Sequence, residues 1–344
     1  MPADRARPPA SSRTQNIRSS LLADIDAYLR CCGQDPERIF APLGFEPSAM
    51  QNPELRIPVH SLMDLLNRCA AITGQEDFGL RIADWRGMPD LGPIVFLLRN
   101  ESTLRGALRT LVQALHLHSN AMYLSFDEGE DAAVLAMDVM TGEEGFSHHS
   151  AEMVVSALLH MITWLVGPGW LPLAVCLRHA RRLPERTYRR YLRCTPDFRQ
   201  EFNGVVIDKA DLDLPLDHST ATIERQVSAI ITTMTDEVDV YVYRVQQLLV
   251  LTLPRGEARA TVVADLLQVD RRTLNRRLAQ AGLNFSALLG RVRRELATQY
   301  VRNSDKPFSE VALLLGFESL SAFSRWFHGA FGQAPRTLRA ARAG

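Results

Sequence analysis

Long apolar runs are missing from this chain of 344 residues: none approaches the 18 or so needed to cross a bilayer, so no transmembrane helix is expected. Met1 to Ser20 is rich in Arg, Pro and Ser and lacks an apolar core, so residues 1–20 read as a tail rather than a secretory signal. Cysteine is scarce. The five present, Cys31, Cys32, Cys69, Cys176 and Cys194, are odd in number with no C-x-x-C spacing, which fits reduced thiols of a cytoplasmic protein. Adjacent cysteines seldom bond each other, so redox sensing by Cys31 and Cys32 is the lesser reading. There is no G-x-G-x-x-G, P-loop, H-E-x-x-H or G-x-S-x-G, so the commonest enzymatic chemistries have no anchor. Histidines gather at His116, His118, His148, His149, His160 and His179, but no carboxylate or cysteine stands beside them at ligand spacing. No metal and no other cofactor is expected.

Net charge is also missing, and that absence conceals a division. From Pro254 onward there are 15 Lys plus Arg against 7 Asp plus Glu, leaving 24 basic against 32 acidic residues before it. A basic module on an acidic body fits a nucleic-acid-binding domain attached to a domain of another kind.

What is present in the basic part is a repeated unit. From Ala264, Leu267, Val269, Leu274, Arg276 and Leu278 follow at +3, +5, +10, +12 and +14; from Ala312, Leu315, Phe317, Phe323, Arg325 and Phe327 follow at +3, +5, +11, +13 and +15. Each unit reads as helix, turn, helix, and the two differ by one residue in the turn. Gly316 supplies the left-handed stop of the second unit, where the first has Gln268. Asp270 and Ser319 are the caps of the two second helices. Between the units, Phe285 to Arg302 reads as one helix capped by Asn284. At 1.5 Å per residue it spans roughly 27 Å, which with its turns separates two recognition helices by about one turn of DNA, ~34 Å.

The outward faces suit DNA. Arg272, Asn275 and Arg276 project from the first recognition helix, where Arg suits guanine and Asn suits adenine, while Arg271 and Arg277 suit phosphates. In the second unit Ser319, Ser321, Ser324 and Arg325 hold the matching face. Serine is a weak reader, so the first unit is expected to carry more of the sequence specificity and the second more of the positioning.

These residues carry a resemblance. Gly256 to Arg339, with Gly316, Phe317, Ser319, Phe323, Arg325, Phe327, Gly332, Pro335 and Arg339, resembles the DNA-binding domain of AraC/XylS-type transcription regulators. It departs from the family pattern at Gln268, at Leu338 and at His328. The resemblance implies double-stranded promoter DNA and RNA polymerase as partners, and a structural role is open for Arg293 and Arg339.

Upstream, helical spacing marks 21–29, 36–43, 58–72, 78–86, 91–98 and 103–117. The period then shifts to a hairpin over 122–139, followed by a long apolar helix at 146–166, a strand at 171–177, a basic helix at 185–194 and a strand at 202–207. Helices and strands mix without regular alternation, so the fold class expected is an α+β N-terminal domain followed by an all-α C-terminal domain with two helix-turn-helix units joined by a linker helix. The stretch from Gly44 to Leu216 resembles the sensor domain of the family branch that includes ornithine-utilisation and virulence regulators. Its carriers are LGFEP at 43–47, Arg56-Ile57-Pro58, FGLRIA at 78–83, Asp90-Leu91-Gly92 and FNGVVID at 202–208. That resemblance implies effector binding and a homodimer.

The division expected is therefore a tail over 1–20, an effector-binding and dimerisation domain over 21–220, a helical connector over 221–253 and a DNA-binding domain over 254–344. The connector's apolar stripes suit either pairing in a dimer or packing on their own domain. For a small-molecule effector, possibly a carboxylate metabolite, the candidate residues are His116, His118, Arg178 and His179, with a structural ion pair as the rival for Arg178 and His179. The protein reads as an effector-controlled transcription regulator, an activator or a repressor. An architectural DNA binder, or an unrecognised enzymatic N-terminal domain, are the alternatives.

Overall fold

The computed structural model describes residues 15–45, 50–139, 147–216, 237–303 and 306–340. They fall into two compact units, one built mainly on Asn16–Met234 and the other mainly on Thr235–Val301 with Lys306–Gly344.

The first unit begins earlier than expected. A short strand β1 (Asn16–Arg18) pairs antiparallel with β2 (Arg56–Pro58), Ile17 lying opposite Ile57, and Ile17, Arg18, Ser19 and Ser20 are all buried. The tail over 1–20 is thus corrected from Asn16 onward. Three residues are too few for alternation to show, and the strand's partner lies far along the chain. Helices α1 (Ser20–Cys31), α2 (Pro36–Phe40), α3 (Val59–Thr73), α4 (Phe78–Arg86), α5 (Ile94–Arg99) and α6 (Leu104–Ala114) follow. The cap of α6 is Thr103, whose hydroxyl accepts from the Gly106 amide, because Thr103 holds the extended conformation that an N-cap needs.

The hairpin forms as the alternation predicts: β3 (Met122–Glu128) pairs with β4 (Ala132–Val139) in antiparallel register. With β5 (Ala174–Leu177), β6 (Asp197–Phe198) and β7 (Asn203–Asp208) they build a five-stranded sheet of order β3-β4-β7-β5-β6, in which only the β5–β6 pair is parallel among these strands. The unit is α+β. The long helix α7 (His148–Val166) lies against α4 and β7, and α8 (Glu185–Leu192) packs beside it. By length and composition α7 would pass for a membrane span, yet Val155, Leu159 and Ile162 are buried within the unit. Its approach to α4 is close enough to require Gly79, since a Cβ there would sit 2.1 Å from the His149 carbonyl oxygen.

The second unit is helical: α9 (Glu237–Thr252), α10 (Ala260–Leu266), α11 (Arg271–Gln280), α12 (Phe285–Asn303), α13 (Phe308–Leu314), α14 (Leu320–Phe331) and α15 (Pro335–Ala340). The first half of the expected connector, with Ile223, Val227, Ile230 and Ile231, lies outside the described residues. Its second half is α9, whose Val242, Val245 and Leu249 are buried against α10 and α11. That stripe packs on its own unit.

The two turns share one hydrogen-bond pattern. Leu267 N donates to Val263 O, Gln268 N to Asp265 O and Val269 N to Ala264 O; Leu315, Gly316 and Phe317 donate to Val311, Leu313 and Ala312 in the same order. Both stops are left-handed, with φ +54° at Gln268 and +69° at Gly316. A six-residue closure of this kind satisfies the last carbonyls of a helix and turns the chain sharply.

Candidate nucleic-acid interface and ligand cavity

Each recognition helix is held by two buried groups on one face and a cap at its start. In α11, Leu274 and Leu278 are fully buried, and Asp270 accepts from the Thr273 amide at 2.8 Å and the Thr273 hydroxyl at 2.9 Å. In α14, Phe323 and Phe327 are fully buried, and Ser319 accepts from the Ala322 amide at 3.2 Å. Burying positions four apart leaves a continuous opposite face in water. On that face of α11 stand Arg271, Arg272, Asn275, Arg276 and Arg277, all exposed; on that of α14, Ser319, Ser321 and Arg325 are exposed and Ser324 is half-buried. Sequence reasoning passed over Leu320, which opens α14 and is 45% exposed beside Ser321. Its signal is its register, since Leu320 holds in the second unit the place that Arg271 holds in the first.

Three of the basic groups have definite partners. The Arg277 guanidinium lies 4.9 Å from the centroid of the Tyr241 ring on α9, so a helix of the connector supports one end of the interface. Arg293 on α12 faces inward: its Nε donates to Leu315 O at 3.1 Å and its guanidinium sits 4.8 Å from the Phe317 ring centroid, clamping the second turn. Arg339 likewise donates to Val301 O and stacks on Phe308. Of the departures from the family pattern, Leu338 is buried in the unit and His328 is exposed.

In the first unit a cavity lies between α1, α4, α6, β3, β4 and α7. Its walls include Leu111, Leu124 and Leu158, with Met122, Met137, Met153 and Met161. The polar side chains on it are Arg18, Arg86 and His118. Arg18 is 2% exposed and binds Glu54 through Nε at 3.1 Å and Nη2 at 2.5 Å, with Asp90 Oδ1 3.2 Å from Nη1. Arg86 holds Asp24 at 3.1 Å and Ser20 Oγ at 3.2 Å. The imidazole of His118 is buried with Nδ1 lacking a partner. Burial, then the nearby arginines, pushes its pKa down to about 3, so the ring is neutral.

Of the effector candidates, His118 lines this cavity and the others do not. His116 bonds the Gln113 carbonyl. Arg178 is locked in an ion pair with Asp138 and donates to Glu201 O at 2.7 Å, so the structural alternative describes it. His179 belongs to a separate buried group with His148, Glu152 and Tyr188; its Nε2 lies 3.5 Å from Glu152 Oε1, and Tyr188 donates to the same carboxyl at 2.9 Å. Among the described residues no cluster of three or more His, Cys, Asp or Glu suits a metal ion. Arg18 and Arg86 escaped notice because β1 was taken for tail and Arg86 for an ordinary helix end.

Two helix-turn-helix units in the helical unit, and a cavity in the α+β unit, are the parts of a transcription regulator with a sensing domain. Residues 33–216 match the arabinose-binding domain of AraC transcription regulators, N-terminal, and residues 263–341 match a helix-turn-helix domain family. The chain belongs to the AraC family of transcription regulators, with an N-terminal ligand-binding domain and a C-terminal DNA-binding domain. It is similar to the HTH-type transcriptional regulator VirS of Mycobacterium tuberculosis, 29% identical over 94% of this chain and 96% of that one. It is also similar to the ornithine utilization regulator of Pseudomonas aeruginosa, 24% identical over 90% of this chain and 92% of that one. Among solved structures, the transcriptional regulator CdpR of Pseudomonas aeruginosa covers 93% of this chain and 97% of its own, at 20% identity and a TM-score of 0.47.

Proposed function

We propose that one chain reads two successive major grooves on the same face of the duplex, so that each half of the operator is a direct, asymmetric site. The single observation that carries this is the matched pair of turns and outward faces on α11 and α14, joined by a continuous helix of 19 residues, roughly 28 Å long at 1.5 Å per residue. Arg272, Asn275 and Arg276 specify bases, Arg271 and Arg277 hold phosphates, and Ser319, Ser321, Ser324 and Arg325 mainly position the second unit. The unit from Asn16 to about residue 220 binds the effector and forms a homodimer. Residues 221–253 relay the bound state, and 254–344 read promoter DNA in the cytoplasm and engage RNA polymerase as an activator.

The support for a relay is local. Helix α9 touches the recognition helix α11 through Tyr241 and Arg277, and Leu253, next after α9, lies against Gly316, so a shift of α9 reaches both helix-turn-helix units. Ligand binding then changes DNA affinity by its differential affinity for the two placements of the DNA-binding modules in the dimer. Selection of genomic fragments by the purified full-length protein tests the reading. A site with two motifs about one turn apart, lost in Arg276→Ala, is the expected result. Retention of DNA without preference by both proteins would point to an architectural binder instead.

A further inference from the structure

The cavity in the first unit carries its own chemistry, and the argument rests on the reading of that unit as effector-binding. Its walls are mainly aliphatic residues and methionine, and among the described residues the side chains on it with hydrogen-bonding atoms are Arg18, Arg86 and His118. A sugar or other polyol would bury several hydroxyls there with no acceptors or donors to meet them, at about 1–3 kcal/mol for each unmatched group. The polar end is different. The arginines point inward while their carboxylates stand toward water: the Arg18 side chain is 1% exposed against 63% for Glu54 and 50% for Asp90, and Arg86 is 12% exposed against 34% for Asp24. Buried cations with solvated counter-ions leave a positive field inside, because the solvent screens the outer charges more than the inner ones. His118, more than nine-tenths buried, lines the same cavity and its Nδ1 has no hydrogen-bond partner.

We propose that this cavity binds a free carboxylate carried on an unbranched apolar chain, its head group at Arg18, Arg86 and His118 and its tail among the methionines. Methionine suits such a tail, since its flexible thioether fits an irregular apolar guest without a fixed shape. A carboxylate gains from the inward guanidinium groups, and its oxygens satisfy the stranded imidazole in whichever tautomer donates to them. Each methylene taken from water strengthens binding by about fourfold until the cavity is full.

Titration calorimetry on the full-length protein, without DNA and below the micellar concentration of each probe, tests the assignment. The probes are octanoate, decanoate, methyl decanoate, decylamine and arabinose. Decanoate binds the expected site if it is about tenfold or more tighter than octanoate and than its methyl ester, and if decylamine and arabinose show no saturable binding. Ala157→Phe, which fills the cavity from its α7 wall, then abolishes decanoate binding while unfolding as cooperatively as the parent. Saturable arabinose binding, equal affinity for acid and ester, or decanoate binding unchanged in Ala157→Phe would each overturn the proposal. Because no DNA enters the experiment, its failure leaves the operator reading standing, and failure of the fragment selection leaves this one standing.

Discussion

The two turns at Gln268 and Gly316 make opposite predictions from the same geometry. Both residues sit in the left-handed region, at φ +54° and +69°. A residue with a Cβ gives up about 1–2 kcal/mol there, and replacing it by glycine costs about 0.5–1 kcal/mol in chain entropy. Gln268→Gly should therefore stabilise the DNA-binding unit by about 0.5–1 kcal/mol. Gly316→Ala meets the same conformational cost, offset by about 0.4–1 kcal/mol of lost unfolded-state freedom. Its new Cβ would also stand 3.1 Å from the Leu253 carbonyl oxygen and 3.3 Å from Leu253 Cδ2, a fit that needs α9 to move. The net expectation is a loss of about 1–2 kcal/mol. At roughly 4–8 °C per kcal/mol for a domain near 100 residues, the two variants separate by about 10 °C. Scanning calorimetry of the full chain resolves this in the transition that duplex DNA raises. Gly316→Ala neutral, or Gln268→Gly destabilising, would refute the shared-turn geometry.

Arg293→Ala removes a carbonyl clamp and a stacked cation from the second turn, and should cost the DNA-binding unit about 2–3 kcal/mol, with Arg293→Lys recovering little; chemical denaturation checks it. Tyr241→Ala frees the Arg277 guanidinium and should weaken DNA binding severalfold, while Tyr241→Phe keeps the ring and is neutral, as read by fluorescence anisotropy across a salt series. Burial raises the Glu152 pKa from its ordinary value near 4.5 to about 8. The folded state thus holds a proton that the unfolded state has released, and stability falls as pH rises from about 4.5 through 8. His148 and His149, pushed down to about 3 and about 4 by burial, act the other way and lower stability as pH drops below about 6.5. Thermal melts of Glu152→Gln should lose the decline between pH 6.5 and 8 and keep the acid-side one.

Much of the DNA-reading half was legible because its signals are local. Turn residues, caps and core positions at helical spacing fix each unit, and the repeat checks one copy against the other. The same locality exposed Arg271, Arg272, Asn275, Arg276 and Arg277 as an outward face. Leu320 was missed because an apolar residue at a helix start reads as core until its exposure is seen. In the N-terminal half the hairpin over 122–139 showed through its alternation and the strand over 202–207 as a short apolar run, but the cavity did not. Its polar groups come from β1, from the end of α4 and from the turn after α6, which no spacing rule connects. Arg178 and His179 attracted notice as charged groups ending a buried strand. The sequence could not show that Asp138, on a neighbouring part of the sheet, already holds Arg178. Long-range ion pairs of this kind are legible only once strand order is known.

The most direct test of two-groove reading is site selection from random duplex DNA by Arg276→Ala and Arg325→Ala beside the parent. The account predicts that Arg276→Ala erases base preference in one half of the selected site, about 1–3 kcal/mol at the contacted pair, while Arg325→Ala lowers affinity with the preference largely kept. A larger loss of base preference from Arg325→Ala, or a selected site with a single motif, would contradict it.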